Sequence, residues 1–185
     1  MKILIIGESC QDTFVYGSAT RLCPEGPAPV FRETSRVHSV GMAKNVYHNF
    51  VNLRDHSELD LDFTFISNKV IGEKARYIDT DSNQLLLRVD QDQHDAIGLD
   101  ILSSIDFDSF DAVVVSDYNK GFLSSKILQT ISSECRLNNV KSYLDPKFGK
   151  ISSYKNFDIV KCNKNETEYF AGKQIFSEKE LKKEI

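Results

Sequence analysis

The sequence lacks long hydrophobic runs, a surplus of basic residues, paired cysteines and closely spaced glycines. Its first apolar run, Ile3–Ile6, is far too short for a signal peptide or a membrane span. The formal net charge is -4 and the charges are interspersed, which argues against nucleic-acid binding. We therefore expect a cytoplasmic protein that contacts neither a membrane nor a nucleic acid.

The cysteines and glycines lack the spacings that are typical of metal sites and of phosphate-binding loops. The four cysteines form no CxxC pair and have no histidine at metal-ligand spacing, so we interpret them as free thiols in a reducing compartment. The nine glycines are never separated by a single residue, so no glycine loop that grips nucleotide phosphates is visible. The four histidines are scattered, and we assign them no catalysis.

Strand-like and helix-like segments alternate along the chain. The apolar segments typical of buried strands are Lys2–Ile6, Asp111–Val115, Val140–Leu144 and Asp158–Lys161. Apolar residues at helical spacing predict helices over Ala43–Leu53 and near Ile97–Ile105. A third helix is predicted after Ser124, which would cap it, and its buried stripe would be Ile127, Leu128, Ile131 and Cys135. The alternation predicts a doubly wound α/β fold with a mainly parallel sheet.

A smaller β-layer is expected beside this sheet. Leu61–Phe65 alternates with period two and Gln84–Val89 is a second strand candidate, so we predict a β lid from segments near 8–40 and 61–90. Residues 1–185 then form a single, partial domain. Ser177 and Glu180 predict a capping box for a last helix running to Ile185. A doubly wound domain seldom stops on a helix, so we interpret this end as a cut edge.

Three polar motifs each follow a predicted strand. They are Ser116–Gly121, Asp145–Lys147 and Asn163–Glu166. Loops at the carboxyl ends of parallel strands line the ligand crevice of such sheets. Because the motifs supply carboxylates, ammonium groups and amides, they predict a site for a phosphorylated, hydroxyl-rich molecule.

Together with several stretches nearer the N-terminus, these motifs make the sequence resemble the ribokinase-type (PfkB) carbohydrate kinase superfamily. The resemblance is strongest to the heptose 7-phosphate kinase branch of that superfamily. The resemblance covers most of the chain but only the N-terminal part of a family member. It implies an incomplete ribokinase-like fold, a sugar phosphate as substrate, and ATP with Mg²⁺ as cofactors. The further matching stretches are Gly7-Glu8 with Asp12, Tyr16-Gly17 with Arg21, Pro24–Val30, Gly41 with Asn45, and Ser82–Asp90.

The resemblance also implies site residues. Those implied to bind substrate are Asp12, Gly41, Asn45, Asp117, Lys120 and Lys147, and those implied to hold the water shell of Mg²⁺ near the nucleotide are Asn163 and Glu166. Asp12 would accept hydrogen bonds from sugar hydroxyls, and Lys120 would meet a phosphate as a point charge. Structural alternatives stay open: a turn residue at Asp12, an ordinary helix start at Asn45, and a capping pair at Asn163–Glu166.

The family's catalytic glycine-alanine-glycine-aspartate turn is absent, so no catalytic residue and no direct metal ligand is assigned. We expect the chain alone not to catalyse phosphoryl transfer. The short connector between Leu53 and Leu61 indicates either a smaller core sheet or a sheet edge that a second chain or another copy covers. Three interpretations remain open: a piece of a split or shortened sugar kinase, a non-catalytic sugar-phosphate-binding or regulatory module, and a decayed remnant.

Overall fold

The computed structural model describes residues 1–92, 95–149 and 151–175, which form two sheets and four α-helices. The strands are β1 (Lys2–Gly7), β2 (Ser9–Ser18), β3 (Arg32–Met42), β4 (Asp62–Ile66), β5 (Gly72–Asp79), β6 (Gln84–Gln91), β7 (Ala112–Asp117), β8 (Lys141–Pro146) and β9 (Ile159–Val160). The helices are α1 (Ala43–Asp55), α2 (Leu99–Ser103), α3 (Ser125–Leu137) and α4 (Lys164–Ala171).

The main sheet has five strands in the order β4-β1-β7-β8-β9, and every neighbouring pair is parallel. Strands β1 and β7 lie in its interior. Leu4 and Ile6 of β1 pack into one apolar cluster, whereas Ile3 and Ile5 pack into a second cluster on the opposite face. Burial on both faces explains why β1 is a continuous apolar run rather than an alternating one.

Helices cover both faces of the main sheet, which confirms the predicted doubly wound α/β class. Helix α1 lays Tyr47 and Phe50 against the face that carries Ile3 and Ile5. Helix α3 covers the other face with the predicted stripe of Ile127, Leu128, Ile131 and Cys135, all buried. Its cap is also as predicted, because the Ser124 side chain accepts a hydrogen bond from the Ile127 amide.

The second sheet is mixed, with the order β3-β2-β5-β6. Strands β2 and β3 follow β1 in the chain, and β5 and β6 follow β4. Both pairs therefore leave the main sheet at the carboxyl ends of its strands. The extra β-layer is thus built largely from the expected segments.

One strand joins a different sheet from the one expected. The segment predicted as Leu61–Phe65 is β4, which pairs with β1 at the edge of the main sheet. Its side chains alternate because Phe63 and Phe65 pack beside α1 while the intervening residues do not. Period-two alternation reveals a half-buried strand, but it does not reveal which sheet the strand joins.

Several elements differ from the predicted ones. Strands β2, β3 and β5 were not predicted individually, and β3 in particular is polar and exposed over most of its length and offers little hydrophobic periodicity. The helix expected near Ile97–Ile105 is limited to the short α2. The helix predicted from Ser177 lies outside the described residues. The cysteines are all free, as expected, and none of the described helices is long and apolar enough to cross a membrane.

Gly7 joins the two sheets at a point where no side chain fits. A Cβ there would lie 2.3 Å from the Ser116 carbonyl oxygen and 2.7 Å from the Cβ of Ala43. We expect Gly7→Ala to lower the free energy of unfolding by about 1–3 kcal/mol, since backbone on the neighbouring strand must move. Urea unfolding measures this, with Gly26→Ala as the control because a Cβ at Gly26 would have no other atom within 4 Å. Equal stability of the two variants would contradict the tight contact.

Candidate functional site

The strand order of the main sheet reverses beside β1. From β1 the chain continues to β4 on one side, and it later crosses to β7 on the other. Ligands of open α/β sheets bind outside the carboxyl ends of the strands at such a reversal. In this protein those ends carry Glu8 after β1 and Asp117 at the end of β7.

Glu8 holds the loop that follows β7. Its side chain is fully buried, and its two carboxylate oxygens accept three backbone hydrogen bonds. The donors are the amides of Tyr118 at 2.6 Å, Lys120 at 2.7 Å and Phe122 at 3.1 Å. A buried carboxylate is tolerated when donors satisfy it in this way. No role for Glu8 was predicted from the sequence.

The loop needs unusual backbone conformations to present these amides. Asn119 has φ 54° and Gly121 has φ 105°, both in the left-handed region. Glycine adopts that region without a steric penalty, which explains Gly121 as the turn residue that the sequence predicted. Asn119 also donates from Nδ2 to the Phe148 carbonyl oxygen at 2.8 Å, so this loop is tied to the one after β8.

Asp117 is buried next to Glu8. Its carboxylate accepts hydrogen bonds from the Asn119 amide at 2.9 Å and from the Tyr154 hydroxyl at 3.0 Å. Burial, and to a lesser extent the charge of Glu8, outweigh these bonds and raise the pKa of Asp117 to about 6. The group therefore gains or loses its charge not far below neutral pH.

Lys147 and Glu166 form an ion pair at the ends of β8 and α4. Lys147 Nζ lies 2.6 Å from Glu166 Oε1, and only 1% of the Glu166 side chain is exposed. Desolvation opposes the charged form of each group, but the hydrogen bond between them prevails. As a result the pKa of Lys147 is raised and the pKa of Glu166 is lowered.

Asn163 and Glu166 also make the capping box that the sequence left open as an alternative. The Asn163 side chain accepts from the Glu166 amide at 2.9 Å, and Glu166 Oε2 accepts from the Asn163 amide at 2.7 Å. Both carboxylate oxygens of Glu166 are therefore engaged. No group of three or more metal-ligating side chains exists within the described ranges, so these residues do not fit a direct Mg²⁺ ligand set. Their attachment to a hydrated ion stays a prediction.

Asp12 lies within strand β2, not in the loop that was expected from the sequence. Its Oδ1 pairs with Arg76 Nη1 at 2.6 Å, and its Oδ2 faces Gly41, where a Cβ would lie 2.3 Å away. Gly41 thus makes room for the carboxylate. The two residues come together because β2 and β3 are neighbours in the second sheet.

Asn45 and Lys120 are both exposed to solvent, unlike the buried Glu8 and Asp117. Asn45 is exposed in the first turn of α1, whose N-cap residue Met42 has no polar side chain and a φ of 59°. Lys120 is exposed and pairs with Asp92 at 2.6 Å. Its charge therefore already has a partner in Asp92, and its contact with a phosphate stays a prediction.

The ring of Tyr118 is approached by lysine side chains from both sheets. Lys147 Nζ from the main sheet and Lys74 Nζ from β5 each lie 5.5 Å from the centroid of its ring. Lys74 is in turn the cross-strand partner of Asp12. Tyr118 thus connects Lys74, whose strand neighbour is Asp12, with the ion pair of Lys147 and Glu166.

Several residues of this region were not predicted from the sequence. Tyr118 stood inside a quoted motif without a role, and Lys74 and Arg76 belong to the unpredicted strand β5. Only the correct pairing of β2 with β5 would have identified them, because their own sequence neighbourhood carries no recognisable motif.

The fold is that of the carbohydrate kinases. Over 99% of its length the chain superposes on 67% of phosphofructokinase-2 from Escherichia coli, in its tetrameric inhibited form, with a TM-score of 0.66 and 14% identity. A carbohydrate kinase from Agrobacterium tumefaciens gives a TM-score of 0.58 at 12% identity, over 92% of this chain and 63% of that one. No family model matches the sequence.

Relatives at the sequence level agree with this class. The chain is 28% identical over 214 residues to Bifunctional protein HldE of Helicobacter pylori (strain P12), covering 100% of this chain and 46% of that protein. It is 26% identical to Bifunctional protein HldE of Campylobacter curvus, covering 93% and 42%. The resemblance to ribokinase-type kinases is thereby confirmed. The chain spans about half the length of these curated relatives.

The raised pKa of Asp117 has a consequence for stability. Because the folded pKa lies above the unfolded one, the folded state holds a proton that the unfolded state lacks between about pH 4 and 6. Wild type should therefore lose about 3 kcal/mol as the pH rises through this window, and Asp117→Asn should not. Urea unfolding across pH tests this, with the exposed Asp108→Asn as control. Parallel pH profiles for wild type and Asp117→Asn would contradict it.

Proposed function

We propose that this chain is a sugar-phosphate-binding part of a heptose-phosphate kinase, with its ligand in the crevice between the two sheets. The observation that supports this most is the approach of Lys74 and Lys147 to the ring of Tyr118 at the reversal of strand order, with Asp12 beside Lys74 on the neighbouring strand. A carboxylate suits sugar hydroxyls, and ammonium groups suit a phosphate ester.

In this proposal the substrate residues are those that the resemblance implied. Asp12 accepts hydroxyl protons of the sugar, with its orientation held by Arg76 and the space left by Gly41. Asp117 at the end of β7 and Asn45 at the start of α1 would complete the set of sugar contacts. Lys120 would contribute positive charge to the site by turning from its partner Asp92 towards a bound phosphate.

The cofactors in this proposal are ATP and Mg²⁺, as in carbohydrate kinases. The Lys147–Glu166 pair lies beside the loop after β9, where the resemblance implies the nucleotide phosphates. Bound Mg²⁺-ATP would supply the transferred phosphoryl group. In this chain, Asn163 and Glu166 would hold the water shell of Mg²⁺ near that group, and Glu166 would also fix the position of Lys147 on the substrate side.

We further propose that the chain is one partial domain, works in the cytoplasm, and needs more polypeptide for turnover. An apolar groove of about 520 Å³ opens on the α1 face of the main sheet, lined by Ile3, Phe50, Val114, Tyr143 and Ile159 among others. This chain covers only 67% of the superposed phosphofructokinase-2. Further polypeptide, from the same or a second chain, would cover the groove. A reading frame for the glycine-aspartate turn beyond codon 185 would support this.

The alternative is a non-catalytic sugar-phosphate-binding or regulatory module. It shares the same binding residues and differs only in needing no completion. Phosphoryl transfer by a complex with a completing chain would decide for the kinase. Binding without transfer in every such complex would decide for the module.

Binding by the lone chain tests the shared part of both proposals. We expect D-glycero-D-manno-heptose 7-phosphate to give a calorimetric titration with wild type and to raise its melting temperature. Asp12→Asn should raise Kd by about tenfold, because one charged hydrogen-bond acceptor is lost. Asp55→Asn is the matched control, since Asp55 also pairs with an arginine but lies at the far end of α1.

Two results would contradict the proposal. If neither the heptose phosphate nor ATP binds to wild type, the result supports the interpretation of the chain as a decayed remnant without function. If the purified chain alone steadily phosphorylates the sugar with ATP, no further polypeptide is needed.

A further inference from the structure

The main sheet ends at β4 on one side, and the outer side of this strand is open. Among the described residues, β4 pairs only with β1, and the strand at the other edge of the sheet, β9, is only 2 residues long. Residues 56–61 alone connect α1 to β4. The open edge therefore lies where the sequence left two alternatives, a smaller core sheet or an edge that another chain covers.

The outward backbone groups of β4 belong to Phe63 and Phe65. Asp62 donates its amide to the Met1 carbonyl oxygen at 2.9 Å, which is the side of β1. Successive residues of a strand direct their backbone groups to opposite sides, so Phe63 and Phe65 direct theirs away from β1. Phe63 fits this assignment, because its amide donates to the Asp62 carboxylate at 2.9 Å.

The centre of β4 reads the same in both directions about Thr64. Two copies related by a two-fold axis through Thr64 would place Phe63 of one copy opposite Phe65 of the other, with the strands antiparallel. Each such pair exchanges both of its backbone hydrogen bonds, so every outward amide and carbonyl of Phe63 and Phe65 finds a partner. A shift by one residue would leave these groups unpaired.

The side chains of β4 suit the same register. Phe63 and Phe65 lie on the face that α1 covers, where Phe63 contacts Phe50 and Phe65 stacks on Tyr47. A second copy would extend them into a continuous row of phenylalanine rings. Thr64 would face Thr64 of the second copy at the axis. Aromatic pairs and Thr–Thr pairs both stabilise antiparallel strands.

The charges at the two ends of this edge are complementary. Glu58 and Asp60 are exposed just before β4, and Lys69 is exposed just after it. Antiparallel pairing sets the start of one strand beside the end of the other. The acidic residues of each copy would therefore approach Lys69 of the second copy, which favours this orientation.

We propose that two copies of this chain associate through β4, antiparallel about Thr64, and so join their main sheets into one continuous sheet. The partner is a second copy because the edge complements itself in backbone groups, rings and charge. Pairing must release the Phe63 amide from Asp62, and one short strand buries little area, so we expect a Kd of about 10 µM. This association needs no ligand, so it and the proposed function can fail separately.

Sedimentation velocity over a concentration series tests the association with wild type, Thr64→Lys, Thr64→Val and Gln129→Lys. Wild type should change from monomer to dimer as its concentration rises through the Kd. Thr64→Lys sets two ammonium groups face to face at the axis and should weaken the dimer at least about tenfold. Thr64→Val keeps a β-branched side chain, and Gln129→Lys adds the same charge on the exposed surface of α3. Both should dimerise like wild type.

Amide hydrogen exchange locates the contact in wild type. The Phe65 amide should exchange at least about tenfold more slowly well above the Kd than well below it, because only the dimer gives it an acceptor. The amide of Ile5, inside β1, should exchange at the same rate at both concentrations.

Other results would overturn the inference. A wild type that stays monomeric at every concentration leaves the edge to a different polypeptide or to none. A dimer that persists in folded Thr64→Lys, or that leaves Phe65 exchange unchanged, uses another surface. Loss of the dimer in Thr64→Val as well would show that the register about Thr64 is wrong. If Thr64→Lys does not fold, the exchange of Phe65 in wild type decides alone.

Discussion

The carboxylate of Glu8 is the constraint on which the rest of the crevice depends. It is fully buried at the end of β1 and accepts three amides from residues 118–122 at the end of β7. Removing a charged acceptor from buried amides costs more than an ordinary hydrogen bond, because the donors are left without partners. Glu8 therefore fixes the loop that carries Tyr118 directly above the reversal of strand order.

The two sheets depend on this loop for their contact near the crevice. Strands β2 and β5 carry Asp12 and Lys74 side by side, and the Nζ atoms of Lys74 and Lys147 each lie 5.5 Å from the centroid of the Tyr118 ring. Each of the neighbouring ion pairs joins residues of the crevice to one another rather than to distant parts of the fold. Most charges of the crevice are therefore balanced by a partner within the crevice itself.

Apolar patterns in the sequence predicted strands β1, β7 and β8, helices α1 and α3 and the α3 cap, but they assigned β4 to the wrong layer. These patterns did not predict the individual strands β2, β3 and β5 of the second sheet. Strands β3 and β5 are held by hydrogen bonding to β2 rather than by burial of an apolar face. The same reason limited the site. Asp117 and Lys147 stand at the ends of the apolar strands β7 and β8, and Glu166 belongs to a recognisable motif, so all three were predicted. Lys74 depends instead on cross-strand register, which a single sequence does not display.

Amide hydrogen exchange measured by NMR tests the role of Glu8 most directly. In wild type the amides of Tyr118, Lys120 and Phe122 should exchange slowly despite lying in a loop. In Glu8→Gln they should exchange at least about tenfold faster, because the amide side chain cannot accept all three bonds. The amides of Ile5 and Val115, inside β1 and β7, should remain protected in both proteins. Unchanged exchange of the three loop amides in Glu8→Gln would contradict the account.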